Sequence, residues 1–266
     1  MSIVFIGGGN MASAIIGGLL ARDHKPADIL VVDPDEAARG RCQRELGVPV
    51  ASALNEPLAA GSMLVLAVKP QIMKAVCEPL AELIGAATVI SIAAGVRMAS
   101  LTTWLGGHTK IVRVMPNTPA LVGMGAAGMV ADPSVSESER DAARAVMAAV
   151  GLALWVDNED DIDAVTAVSG SGPAYVFRWM EALEAAALAQ GLPADVANAL
   201  VLQTVRGAAE LAQRSPHDLR TLREQVTSPK GTTAAGLDAM EHAGIGKAIT
   251  AAVQAAHARS VELGKG

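Results

Sequence analysis

Along the first 157 residues, short apolar runs alternate with stretches of helical periodicity. The runs are Ile3 to Ile6, Ile29 to Val32, Met63 to Val68, Thr88 to Ile92, Lys110 to Val114 and Leu152 to Val156. Each is four to six residues long and rich in β-branched side chains, which predicts strands joined by helices and hence a parallel α/β sheet. Several runs are apolar throughout instead of alternating, the pattern of strands covered by helices on both faces. Ser136 and Glu139 have capping-box spacing and predict a helix that ends near Gly151. Strand signals stop near Asp157, and from Asp161 the period becomes helical. Val176, Met180, Leu183 and Ala187 share one face, and Ile245, Ile249, Ala252 and Ala256 another. The fold expectation is a Rossmann-type α/β domain over residues 1–157 followed by an all-α domain over 158–266, with the acidic stretch Asp157 to Asp163 at the boundary.

Composition narrows the function classes. Of 266 residues, 51% are hydrophobic and only 2% aromatic, so Ala, Val, Leu, Ile and Met fill the core and there is little material for stacking on single-stranded nucleic acid. The formal net charge is -6, without a basic block to draw DNA or an anionic membrane. No apolar run approaches the roughly 20 residues of a membrane span, and a strand begins at Ile3 without a basic leader before it; a cytoplasmic protein is expected. Cys42 and Cys77 lie far apart and the five histidines are scattered, so no metal site is expected. Charge-poor, Ala-rich helical faces suggest burial against a second chain.

The first chemical signal follows the first strand. Gly7, Gly8, Gly9, Asn10, Met11 and Ala12 fit G-x-G-x-x-A between a strand and a helix, the setting in which glycines allow a tight turn and close approach of a pyrophosphate to free helix amides. Asp33, 26 residues after Gly7, ends the second strand. There a carboxylate bonds ribose hydroxyls and repels a 2′-phosphate, favouring NAD(H), although Arg39 and Arg41 follow and can pair with a phosphate. The alternative role for Asp33 is to cap the next helix.

Other strand ends add candidates. Ala67, Val68, Lys69 and Pro70 end one strand where open α/β sheets bind ligands. Ser91 to Gly95 and Met115 to Pro119 end two more; the first offers room for a flat ring, and Asn117 offers either an amide to a ligand or a turn contact. In the helical half, Ser169 to Pro173 and Thr227 to Thr233 each predict a loop before a helix, with hydroxyls and open amides suited to a carboxylate or to capping. No G-x-S-x-G elbow, Walker sequence or Cys–His couple appears. A hydride-supplying cofactor acting on a small carboxylate fits this inventory, and a C=N bond needs less acid–base machinery than an alcohol.

Taken in order, Phe5 to Met11, Val68 to Gln71, Ser91 to Gly95, Met115 to Pro119, Ala167 to Tyr175 and Thr227 to Thr233 resemble the motif set of the pyrroline-5-carboxylate reductase family. The resemblance runs from residue 3 to about 260 and implies reduction of 1-pyrroline-5-carboxylate to L-proline by NADP(H), or NAD(H) given Asp33. It also implies a homo-oligomer with a dimer as the minimal unit, up to a decamer, whose active site draws on the cofactor domain of one chain and the helical domain of its neighbour. By the same likeness, Ile6, Gly7, Gly8, Gly9, Asn10, Met11, Asp33, Asn55, Ala67, Val68, Lys69, Pro70, Ala93, Ala94, Gly95 and Asn117 contact the cofactor. Ser228, Thr232, Thr233, Ser171 and Gly172 would hold the substrate. Thr233, near the imine nitrogen, and Ser228 are the catalytic candidates. Two departures stand out: Lys230 occupies a place where the family usually has a small or glycine-like residue, and Asp33 replaces the phosphate-friendly residue of many NADPH-preferring members. A 3-hydroxyacid type of dehydrogenase, in which Lys69 or another lysine would have to act catalytically, and a non-catalytic nucleotide-sensing dimer are the competing readings.

Overall fold

The computed structural model describes residues 2–265. Backbone contacts divide them into two compact units. The first holds the residues up to Pro173 together with those from Ala256 onward; the second is Ala174–Ala255.

The first unit is built on eight strands: β1 (Ile3–Ile6), β2 (Ile29–Val32), β3 (Val50–Ala51), β4 (Met63–Leu66), β5 (Thr88–Ser91), β6 (Ile111–Met115), β7 (Gly125–Ala131) and β8 (Gly151–Trp155). They form one sheet in the order β3-β2-β1-β4-β5-β6-β7-β8. Its helices are α1 (Asn10–Leu20), α2 (Glu36–Leu46), α3 (Met73–Leu80), α4 (Met98–Trp104), α5 (Glu137–Ala148) and α6 (Asp161–Val165). Alternate strand residues feed two cores. Ile3, Phe5, Val65 and Val112 pack with α1, α2 and α5, whereas Val4, Leu64, Val89 and Ile111 pack with α3 and α4. This two-sided cover explains the continuous apolar runs, because water reaches neither face of the central strands.

The sheet is parallel as expected except at one seam. β6 and β7 pair antiparallel, with Val112 opposite Ala131 and Met115 opposite Gly128, while the other neighbours run parallel. β7 was invisible to a reading based on β-branched residues because its sequence, GAAGMVA, is mostly Gly and Ala. Packing demands that smallness: a Cβ on Gly128 would press against the side chain of Val165 in α6. β3 was missed because it has only two residues. The Ser136–Glu139 capping box is present, but α5 stops at Ala148 and Gly151 opens β8.

The helical run after α6 comprises α7 (Gly172–Ala189), α8 (Ala194–Arg214), α9 (Leu219–Gln225), α10 (Thr232–His242) and α11 (Ile245–Leu263). Among these helices only Ala197, Val201 and Ser260 are fully buried, and Phe177, Leu200, Leu202 and Leu211 are exposed. No helix among the described residues is long and apolar enough to cross a membrane.

Candidate functional site

Chain order in the sheet reverses between β1 and β4, which opens a crevice at the carboxyl ends of the strands. The glycine turn lies on this crevice. The Gly7 amide donates to Val32 O at 2.8 Å and the Ala67 amide donates to Ile6 O at 2.8 Å, so the turn is held between β2 and β4. Gly7 has φ +102, and a Cβ there would lie 2.8 Å from Ala67 O. A side chain is excluded by backbone conformation and by space. Beyond it, Gly9 begins α1 in extended conformation without a side-chain cap, and no heavy atom lies within 4 Å of the Cβ it lacks. The first-turn amides of Asn10 and Met11 therefore face open space at the positive end of a helix, a cradle that fits the pyrophosphate of a dinucleotide.

Asp33 is tied to this turn. Its Oδ2 accepts from the Gly8 amide at 2.7 Å and its Oδ1 from the Asp35 amide at 2.9 Å. The capping role considered for Asp33 belongs to Asp35, whose Oδ1 accepts from Ala37 at the start of α2. Arg39 Nη1 donates to the carbonyls of Asp33 and Pro34, and Arg41 Nη2 donates to Gly8 O at 3.1 Å. Both guanidinium groups thus lie against the Asp33–Gly8 backbone. The thiol of Cys42 is buried beneath Gly8, and that of Cys77 is pushed up to about 12 by burial, which makes it a packing group, not a nucleophile.

The remaining cofactor candidates sit on neighbouring tips. Ala67 and Val68 are half-buried against Gly7, while Lys69 and Pro70 are exposed where the chain turns into α3. Asn55 is exposed after β3, apart from the Gly7–Asp33 contacts. Ala93 is buried and Ala94 and Gly95 are half-buried beyond β5. Asn117 is engaged at both ends: its Oδ1 accepts from the Ala126 amide at 2.8 Å and its Nδ2 donates to Ser169 O at 3.0 Å. That amide joins the β6–β7 turn to the segment after α6 and makes no local cap bond before Thr118 and Pro119, so the Asx-type turn expected there is not formed.

The Ser169-to-Pro173 segment differs from the expected loop. Helix α6 continues through a π-helical turn, Thr166–Gly170, into α7. Thr166 and Ser169 return their hydroxyls to the carbonyls of Ile162 and Val165, and the Ser171 amide donates to Thr166 O at 2.8 Å. Ser and Thr compete for backbone carbonyls inside helices as well as at caps, which is why composition alone suggested a loop. Ser171 and Gly172 are half-buried at the start of α7.

In the second unit, the Ser228-to-Thr233 segment forms the predicted turn and helix start. The Gly231 amide donates to Ser228 O at 3.0 Å, and α10 begins at Thr232 without a side-chain cap. Ser228, Thr232 and Thr233 are exposed around these open amides. Lys230 has φ +59, a left-handed conformation uncommon for residues other than glycine. A glycine would take this conformation without the steric cost that a Cβ brings.

The first unit also holds a buried ionic cluster assembled from residues far apart in the chain. Arg113, only 1% exposed, donates to Glu159 Oε1 at 2.9 Å, and the same oxygen accepts the Met98 amide at 2.7 Å. Asp163, 2% exposed, accepts from Arg97 Nη2 at 3.2 Å and from Ser260 Oγ at 2.6 Å. Arg97 also holds the exposed carboxyl of Asp160 below the usual carboxylate range. The available signal was an arginine inside the apolar run of β6: a buried charge needs partners, and Asp157 to Asp163 supplies them.

Residues 159–263 match the family described as pyrroline-5-carboxylate reductase dimerisation, and residues 2–95 match NADP oxidoreductase coenzyme F420-dependent. A pyrroline-5-carboxylate reductase of Pseudomonas aeruginosa is 45% identical, with 98% of this chain and 96% of that protein covered. The solved pyrroline-5-carboxylate reductase of Coxiella burnetii superposes with a TM-score of 0.92 at 40% identity, with 98% of each chain covered. The Plasmodium falciparum pyrroline carboxylate reductase, crystallised with NADP bound, gives 0.86 at 29% identity over 99% of this chain and 98% of that one. Fold, glycine turn and near full-length similarity agree: the chain belongs to the pyrroline-5-carboxylate reductase family.

Proposed function

We propose that the protein reduces 1-pyrroline-5-carboxylate to L-proline at the expense of NADPH or NADH. The observation that carries this reading is the uncapped start of α10, where the amides of Thr232 and Thr233 and the hydroxyls of Ser228, Thr232 and Thr233 surround one exposed turn. A small carboxylate is the ligand such a turn takes: its charge meets the helix dipole, and its oxygens accept from amides and hydroxyls without a cationic side chain.

When bound, the nicotinamide supplies a hydride to the carbon of the C=N bond. The chain's own residues bind and orient. The α1 amides and Gly7 to Gly9 hold the pyrophosphate, Asp33 faces the adenosine ribose, and Ala93, Ala94 and Gly95 leave room for a flat ring. Ser228 and the Thr232 amide grip the substrate carboxylate, while the Thr233 hydroxyl donates to the imine nitrogen or relays a proton to it. Ser171 and Gly172 belong to the substrate side. The two-sided engagement of Asn117 favours a role in shaping the β6–β7 turn over direct contact with the cofactor.

NAD(H) as a substantial or preferred cofactor rests on Asp33, whose carboxylate is aimed by two amides; NADP(H) is supported by the nearby Arg39 and Arg41. A homodimer is the minimal assembly proposed, because α7 and α8 expose Phe177, Leu200, Leu202 and Leu211 and an isolated chain would leave these in water. The direct experiment mixes the full chain with 1-pyrroline-5-carboxylate and either reduced cofactor, and follows loss of the cofactor's near-ultraviolet absorbance together with formation of proline. Cofactor consumption with stoichiometric proline is expected. Tight nucleotide binding with no turnover by either cofactor would favour the sensing dimer instead.

A further inference from the structure

The loop after β5 packs Ala93 and Val96 into the core but has no polar side chain of its own to fix the Ala93–Gly95 turn. Ala93, Ala94 and Gly95 have no side-chain hydrogen-bonding groups, and the hydroxyl of Ser91, fully buried at the end of β5, has no partner. Gly95 adopts φ +72, and a Cβ there would lie 3.0 Å from Leu263 Cβ, so the end of α11 rests against the loop. Two residues later the chain is anchored: Arg97 donates to Asp163, and the opposite oxygen of Asp163 accepts from Ser260 of α11. Next, Met98 gives its amide to Glu159. All these residues lie in the first unit.

We propose that Asp163 is a positioning residue for the nicotinamide half of the cofactor, acting through Arg97 on the Ala93–Gly95 loop and through Ser260 on the helix end that backs it. The inference rests on the reading that this loop meets the nicotinamide. A loop of small residues loses much conformational entropy when fixed against a flat ring. Asp163 supplies that fixation in advance from a buried position, so binding is not charged with it. Asp163 itself touches no reacting atom.

The test compares two ligands on the full chain by calorimetry: the preferred dinucleotide, and the matching ADP-ribose that lacks the nicotinamide, 2′-phosphorylated where NADPH is preferred. Asp163→Asn and the milder Ser260→Ala are expected to weaken dinucleotide binding about five-fold, the scale of one net hydrogen bond, and to leave ADP-ribose binding unchanged. Ser260→Thr, which keeps the hydroxyl, restores the original ratio. Gly95→Ala, which strains the loop itself, serves as the reference. A selective loss in Gly95→Ala with none in Asp163→Asn and Ser260→Ala overturns the positioning role alone. No selective loss in any of the three overturns the placement of the loop at the nicotinamide, and the inference with it. Equal weakening of both ligands by Asp163→Asn and Ser260→Ala marks a general structural role and also overturns it.

Discussion

The carboxylate of Asp33 accepts the backbone amide of Gly8 at 2.7 Å, which links the end of β2 to the middle of the glycine turn. One contact therefore joins the candidate ribose-recognition residue to the candidate pyrophosphate cradle. Because a second amide, from Asp35, holds the other oxygen, the charge is fixed in direction before a nucleotide arrives. If Asp33 faces the ribose as proposed, its charge repels a 2′-phosphate placed beside it, and Arg39 and Arg41 oppose that repulsion. Asp33→Ser should shift the NADPH-to-NADH ratio of kcat/KM toward NADPH by about ten-fold, or roughly 1.4 kcal/mol. An unaltered ratio would remove Asp33 from cofactor selection and leave it as the lock on Gly8.

Thr233 is the second residue of α10, and its hydroxyl is exposed beside amides that no side chain caps. If it meets the imine nitrogen, Thr233→Ala removes an interaction made chiefly in the transition state. We expect kcat to fall about 10- to 100-fold with a dinucleotide Kd within about two-fold of the parent, and Thr233→Ser to recover most of the loss. Steady-state kinetics alongside a binding titration separates this from general damage, which would lower both together.

The apolar faces of α7 and α8 lead to a prediction about assembly. Phe177 is 59% exposed and Leu200 53%. An aspartate on a face open to water usually changes stability by less than about 0.5 kcal/mol. On a face covered by a second chain, it must be desolvated without a partner. Phe177→Asp or Leu200→Asp is expected to weaken dimerisation by at least about 100-fold, close to 3 kcal/mol. Sedimentation velocity over a dilution series reads this directly; parent-like assembly in both variants would place the interface elsewhere.

What the sequence disclosed depended on how locally each feature is encoded. The glycine turn, the capping box and the Thr227-to-Thr233 turn are set by residues within one or two helical turns of each other, so their chemistry is visible in the chain. β7 is not encoded in that way. Its Gly128 answers to the shape of Val165, 37 positions later, and no local propensity reports such a contact. The same holds for Asp163 and Ser260, separated by 97 residues, and for Asn117, whose partners Ala126 and Ser169 become neighbours only when the sheet forms. The π-helical turn escaped for another reason: Ser and Gly are breakers by composition, but here the hydroxyls bond backward to carbonyls and the chain remains helical.

The capping box at α5 also carries an ion pair, and this sets a dependence on acid. Glu139 Oε1 accepts from Lys110 Nζ at 2.7 Å, while Oε2 accepts from the Ser136 amide at 2.8 Å. Led by the Lys110 bond and followed by the Ser136 hydroxyl and amide, these contacts lower the Glu139 carboxyl from its ordinary 4.5 to about 2. Since the folded value is the depressed one, the stabilisation is fully present above 4.5 and disappears as the pH falls through about 2. Both side chains are partly exposed, so solvent screening reduces the contribution to about 1 kcal/mol. Glu139→Gln removes the titrating group. Urea unfolding at fixed protein concentration should show the parent losing about 1 kcal/mol more than the variant as the pH is lowered across that window. Parallel losses would show that Glu139 titrates at the same pH in the folded and unfolded chains, and the Lys110–Glu139 pair would then have no part in acid stability.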